Sequence, residues 1–204
     1  MQFMGLRDYA SQILGNKFTM SVLKTLLRYR RKVFTVRELA RLSGFSHPKV
    51  SKVIKELEAA SVVKLQSIGR AYQIMLNEES YILRSIIEPA FKAEQETVNE
   101  LISTIRPFFV NKKILSAAIF GSVARGQEKR SSDVDLLVVA EDKEIANESV
   151  AEASTVTLST FGTALSPLIM NKDQLVSKRN KKLVKSILES YLLVYGKDPR
   201  EMVS

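Results

Sequence analysis

Two aspartates one residue apart, Asp133 and Asp135, stand at the head of the apolar run Val-Asp-Leu-Leu-Val-Val at residues 134–139. Aspartate is depleted in strands and costly to bury, so its place there asks for a chemical reason. With side chains alternating along a strand, both carboxylates project from one face, about 7 Å apart along the chain. Leu136 and Val138 then point to the other face, into a core. Two carboxylates side by side repel each other unless a cation lies between them. Mg²⁺ suits that position, because it takes oxygen ligands and keeps coordination sites open for phosphate. Just upstream, the apolar run at residues 114–120 stops at Gly121-Ser122. Gly121 permits close approach of the backbone, and the Ser122 hydroxyl with the amides of the turn after it can hold phosphate oxygens. Cradle and carboxylate pair converge on one ligand, a metal-bound nucleotide.

The elements that must position these groups follow from the flanking pattern. Residues 114–120 are expected to form a buried strand, "VARG" one or two helical turns, and "QEKRSS" a loop, with a second strand from Asp133. A helix is expected around residues 144–160 and a third strand over "TALSPLIM", residues 163–170.

The first half of the chain has a different grammar. Thr35 and Glu38 form a T-x-x-E capping box, with Val36, Leu39, Ala40 and Leu42 at helical spacing and Gly44 at the helix end. Ser46 is expected to cap the next helix, with Pro48 in its first turn. Val50, Val53, Ile54 and Leu57 share one stripe, and His47, Lys49, Ser51, Lys52 and Lys55 occupy the opposite face. Upstream, Val22, Leu23, Leu26 and Leu27 supply a further helix. Two β-rich runs, 62–66 and 71–76, flank Ser67-Ile68-Gly69-Arg70 and read as a hairpin. A helix-turn-helix followed by a hairpin resembles the winged-helix transcription regulators. By that resemblance Lys49, Lys52 and Lys55 neutralise phosphates of duplex DNA, His47 and Ser51 read base edges, and Arg70 reaches the backbone or minor groove.

Charge supports that division. Residues 1–80 hold 14 Lys/Arg against 6 Asp/Glu, and residues 81–204 hold 17 against 16, so the net charge of +9 falls almost wholly on the first half. A basic first half and a near-neutral second half imply that only the first half meets a polyanion. The absence of cysteine excludes disulfides and thiolate metal sites and fits a cytoplasmic protein. A single histidine excludes a His-rich zinc site. No signal peptide and no membrane span are expected. Between the halves, Tyr81, Ile82, Ile86 and Ile87 precede Pro89, which is expected to end or kink a helix. Val98, Leu101, Ile102 and Ile105 stripe a second helix, to pack on the following domain or against a second copy in a homodimer.

Gly-Ser, ten residues, then Asp-x-Asp between two apolar strands resembles the DNA polymerase β-like nucleotidyltransferase superfamily, in particular its small stand-alone members. The resemblance covers roughly residues 108–198. It implies that Gly121 and Ser122 hold a nucleoside triphosphate, that Arg125 lies near the phosphates, and that Asp133 and Asp135 bind catalytic Mg²⁺ or Mn²⁺. Active members carry a third carboxylate on a later strand. Residues 163–170 contain no acid, and Ser166 is the expected occupant of that position. The expected architecture is α+β with two domains: a winged helix at 1–79, a helical connector at 80–107, and a small α/β nucleotidyltransferase domain with a mixed sheet at 108–204. The expected activity is transfer of a nucleoside monophosphate from Mg-NTP to an acceptor hydroxyl. The alternative is a DNA-binding regulator whose degenerate transferase domain binds nucleotide or, antitoxin-like, a toxin-like protein partner.

Overall fold

The structure, a computed structural model, describes residues 13–68, 71–129 and 132–203. The chain divides into two compact units, Met1–Gln95 and Glu96–Ser204.

Three helices and a hairpin make up the first unit: α1 (Lys17–Arg28), α2 (Val36–Ser43), α3 (His47–Ala59), β1 (Val63–Ile68) and β2 (Ala71–Leu76). The Asn16 side chain caps α1 by accepting from the Phe18 and Thr19 amides. At α2 both halves of the capping box form, and Gly44 closes the helix at φ +74°. Ser46 stands at the N-cap of α3 but makes no side-chain cap bond, contrary to expectation. Pro48 at the second helical position removes one of the amides that such a cap serves. Val50, Val53, Ile54 and Leu57 are buried together with Val22, Leu23, Leu26 and Leu39. Phe34 joins the hairpin through an isolated bridge, exchanging backbone hydrogen bonds of 2.9 and 2.7 Å with Ile74. The hairpin tip at 69–70, and with it Arg70, lies outside the described residues.

Residues 80–107, expected as a connector, divide between the two cores. Ile82, Leu83, Ile87 and Phe91 are buried in the first unit, and Leu101 and Ile105 in the second, where the Leu101–Ile105 stripe packs on the sheet domain. Pro89 does not end the helix. A π-helical turn, Leu83–Ile87, runs directly into α4 (Glu88–Ile105), and the Glu88 amide donates to the Leu83 carbonyl. The wider turn absorbs the hydrogen bond that proline cannot make.

The second unit is built on a four-stranded sheet of order β5-β4-β3-β6, with β3 (Ile114–Phe120), β4 (Val134–Ala140), β5 (Leu165–Met170) and β6 (Leu192–Gly196). β3 runs antiparallel to β4 and β6, and β4 parallel to β5, so the sheet is mixed. Between the strands lie α5 (Gly121–Ala124), α6 (Lys143–Phe161), α7 (Lys172–Val176) and α8 (Lys181–Glu189), and α9 (Pro199–Val203) follows β6. Burial shows the alternation of β4 on both faces. Leu136 and Val138 pack with Ala146, Val150 and Ala153 of α6. Leu137 and Val139 pack on the other face with Leu175, Val184, Ile187 and Met202. The core is therefore two-sided, where the sequence pattern suggested one buried face. Among the described residues no helix is long and apolar enough to cross a membrane.

An ion-pair group fastens the first unit. Arg30 Nε donates to Glu78 at 2.9 Å, and its guanidinium also meets Glu88 at 2.7 Å. The hydrogen bond from Arg30, reinforced by the guanidinium charge, holds the Glu78 carboxyl below the usual carboxylate range. A folded value below the unfolded one stabilises the fold above the unfolded value, and that contribution disappears as pH falls through the folded one. Glu78→Gln is expected to lower the urea midpoint at neutral pH, by a margin that closes on acidification. A difference independent of pH would assign the effect to packing instead.

Candidate active site

The β3–β4 register builds the site. Phe120 lies opposite Asp135, so the chain turns at Gly121 directly beside that carboxylate. Gly121 has φ +74°, and a Cβ placed there would stand 2.0 Å from Asp135 Oδ2 and 2.9 Å from its Cγ. The space that any other residue would fill holds the carboxylate. Asp135 is half-buried and shares its sheet face with Leu137 and Val139, at the end where the cover of α7 and α8 runs out. Asp133 is exposed and sits just ahead of the strand, which begins at Val134, one residue later than expected.

α5 is a single turn after Gly121. Ser122 is half-buried in it, and its carbonyl accepts from the Gln127 amide at 2.9 Å. Arg125 is exposed at the end of the turn, where its amide bonds back to the Gly121 carbonyl at 3.3 Å. The Ser190 hydroxyl donates to the Ala124 carbonyl at 3.2 Å, tying the end of α8 to this turn. Sequence reasoning had no signal for Ser190, because the contact joins residues 66 apart.

Ser166 pairs with Asp135 in the parallel β4–β5 register and is exposed. The acids that could have replaced it lie elsewhere. Glu141 pairs with Lys113 at 3.3 Å beyond the far end of β4, and Asp142 caps α6. Glu152 is exposed on α6, and Asp173 is in the first turn of α7. Among the described residues no group of three or more His, Cys, Asp or Glu side chains is placed to hold a metal. The side chains that register and turn bring to Gly121, those of Ser122, Asp135 and Ser166, offer oxygen only, and Asp133 lies two residues before Asp135. Such a set fits a hard divalent cation that keeps part of its shell for phosphate or water. On the opposite face of β4, a cavity of about 260 Å³ is lined by Val98, Leu101, Val123, Ser132, Val134 and Phe161. It does not take up the aspartates.

The basic face named in the sequence falls on α3. His47, Lys49, Lys52 and Lys55 are exposed and Ser51 is half-buried. Lys49 Nζ lies 4.7 Å from the Phe18 ring centroid, and Lys52 Nζ is 4.0 Å from Glu56. Among the described residues Lys55 has no such neighbour.

A mixed four-stranded sheet with a Gly-Ser turn beside an aspartate is compatible with a nucleotidyltransferase fold. Residues 103–200 match the family described as "Polymerase beta, Nucleotidyltransferase". Over 89 residues the chain is 32% identical to "Putative protein adenylyltransferase MJ1305" of Methanocaldococcus jannaschii, covering 42% of this chain and 60% of that protein. Over 46 residues it is 41% identical to "Uncharacterized protein MJ1254" of the same organism, covering 22% of this chain and 10% of that protein. The chain thus spans less than two thirds of the length of either relative. Among solved structures it is similar to "Crystal structure of the toxin-antitoxin with AMP-PNP", at 21% identity and a TM-score of 0.38, over 52% of this chain and 79% of that one.

Two glycines separate backbone strain from the close approach. Gly126 also has positive φ, +62°, yet nothing lies within 4 Å of its notional Cβ. Gly126→Ala is expected to cost about 1–2 kcal/mol, the left-handed penalty alone. Gly121→Ala should cost more in a urea titration, because it must also displace the Asp135 carboxylate. Equal costs would remove the carboxylate from the cradle.

Proposed function

We propose that the second unit is a nucleotidyltransferase that moves a nucleoside monophosphate from an NTP to an acceptor hydroxyl. The observation that carries the reading is the Asp135 carboxylate lodged against Gly121, with Ser122 on the adjoining turn. The match of residues 103–200 and the adenylyltransferase relative support it. Asp133 and Asp135 would hold the divalent ion, Gly121 and Ser122 the triphosphate, and exposed Arg125 would approach its outer oxygens. When bound, Mg²⁺ offsets phosphate charge and acts as a Lewis acid at the transferred group. In the transfer the acceptor oxygen bonds the α-phosphorus, the bond to the bridging oxygen breaks, and pyrophosphate leaves. The acceptor proton finds no third carboxylate at Ser166, so it passes to solvent and turnover is slow.

That same gap favours a second reading, in which the unit binds nucleotide, or a toxin-like partner, without turnover. For the first unit the proposal is a winged helix that binds duplex DNA through Lys49, Lys52 and Lys55, with His47 and Ser51 toward the bases and Arg70 at the wing. A homodimer would present two such helices to two half-sites.

Three measurements test these assignments. Mg-ATP is expected to raise the melting temperature, since a ligand of the native state stabilises it by mass action. Asp135→Asn should lose most of that rise, and a metal-independent rise would sink the site. Labelled NTP should give product that depends on Asp133. Ser166→Asp is expected to speed transfer toward the roughly 10²–10⁴-fold that a general base supplies; a slower Ser166→Asp enzyme would favour the binding role. On the DNA side, neutralising Lys49, Lys52 and Lys55 together should weaken duplex binding and reduce the salt slope by up to about three counterions. Unchanged binding across salt concentrations would move the DNA surface off α3.

A further inference from the structure

The near-neutral total of the second half conceals a basic run and an acidic run on helices that cover opposite faces of the sheet. Residues 178–185 read Lys-Arg-Asn-Lys-Lys-Leu-Val-Lys, five cations with no acid. Lys178, Arg179, Lys181, Lys182 and Lys185 are all exposed, and among the described residues none has an ion-pair partner. They sit on the short 3₁₀ turn Lys178–Asn180 and on α8, whose Val184 and Ile187 pack on the Leu137–Val139 face of β4, the face that carries Asp135. The opposite face is covered by α6. Just before it and along its first half stand Glu141, Asp142, Glu144, Glu148 and Glu152, with Lys143 the one cation among residues 141–152.

We infer that the exposed face of α8 and its preceding turn is a nucleic-acid-binding surface, one that takes the sugar-phosphate backbone independently of α3. Charge complementarity selects the occupant. A run of five unpaired cations at the start of α8, against the acidic run at the start of α6, draws a polyanion to α8 and repels it from α6. Distance excludes the nucleotide of the cradle. At 1.5 Å per residue, Lys185 lies about 8 Å and Lys181 about 14 Å along the helix from Ser190. A triphosphate seated at the cradle does not cover that span, and a strand of several phosphates does. Composition separates nucleic acid from protein. Protein interfaces are depleted in lysine and enriched in aromatic side chains, and residues 178–185 hold four cationic side chains beyond Lys185 and no aromatic. The direction of the helix adds a consequence. α8 ends at Ser190, which is bonded to the Gly121–Ala124 turn, so a strand lying along the cations runs toward the carboxylate site. The surface itself does not require that the site turn over.

The test uses the full chain carrying Lys49→Ala, Lys52→Ala and Lys55→Ala, which removes the proposed α3 contribution. Fluorescence anisotropy is followed with labelled single-stranded RNA, single-stranded DNA and duplex DNA over a series of salt concentrations. This chain is expected to retain salt-dependent binding of at least one probe. Adding Lys181→Glu, Lys182→Glu and Lys185→Glu should weaken that binding about tenfold or more at low salt and lower the slope by about two to three counterions. The Mg-ATP rise in melting temperature should stay as in the parent, which keeps this outcome distinct from a failure of the nucleotide site. If the reversed side chains lower the melting temperature of the free protein, the same three positions as Gln should still give a smaller loss of the same kind. Binding unchanged by either set overturns the inference. So does loss of self-association in sedimentation with nucleic-acid binding intact, since α8 would then meet the acidic α6 of a second copy.

Discussion

An antiparallel pair of strands brings a carboxylate against Gly121, where no side chain stands. The β3–β4 register sets Phe120 against Asp135, and the turn at Gly121 leaves room for Oδ2 where a Cβ would be. The other parts of the site take their positions from this contact. Ser122 follows on the same turn, Asp133 lies two residues before the carboxylate, and Ser166 is carried in by the parallel pairing of β5. A slip of one residue between β3 and β4 would send Asp135 to the α6 face, into a closely packed apolar core, and bring Leu136 to the cleft. Burial on both faces makes such a slip costly. The apolar side chains of β4 thus hold a polar pair in place.

The sheet protects its own margins. β5 is an edge strand that carries Pro167, a residue with no amide to offer a further strand. At the other edge, Arg106 Nε donates to the Val194 carbonyl of β6 at 2.8 Å. Just ahead of β6, the Tyr191 hydroxyl donates to Asp198 beyond the strand, and the Arg200 guanidinium lies 4.9 Å from the Tyr191 ring centroid. The bond from Tyr191, then that from the Arg200 amide, holds the Asp198 carboxyl below its usual range. Burial, followed by the bond to Asp198, raises the Tyr191 phenol. These contacts anchor the last helix beneath the face that bears Asp135, where Met202 joins Leu137 and Val139.

Much of this was legible in local sequence, wherever the cause was local. The capping box at Thr35 and Glu38, the left-handed Gly44 and the buried stripe of α3 each depend on residues within about one or two turns of each other. The two apolar runs around Gly121-Ser122 and Asp133 were readable for the same reason. Of the two outcomes expected at Pro89, the helix end is absent, because its rule describes the regular α-helix. A π turn before it kept the chain helical, and only the neighbouring contacts of Leu83 and Ile87 show why that turn is stable. Ser46 misled in a similar way, since its cap depends on which amides the next two residues supply.

The sequence alone determined the residue types, their spacing and the alternation that directs Asp135 to one face, because periodicity is a property of each strand. Tertiary structure decided which strands meet and in what register. That Asp135 rests on Gly121, that Ser166 rather than an acid lies beside it, and that Ser190 ties α8 to the cradle all depend on contacts between residues 14 to 66 positions apart. It also decided the meaning of charge. A net count gives residues 81–204 almost no charge, whereas folding places the acidic start of α6 and the basic start of α8 on opposite faces of one sheet. Summation along a chain discards position, and electrostatics acts through position.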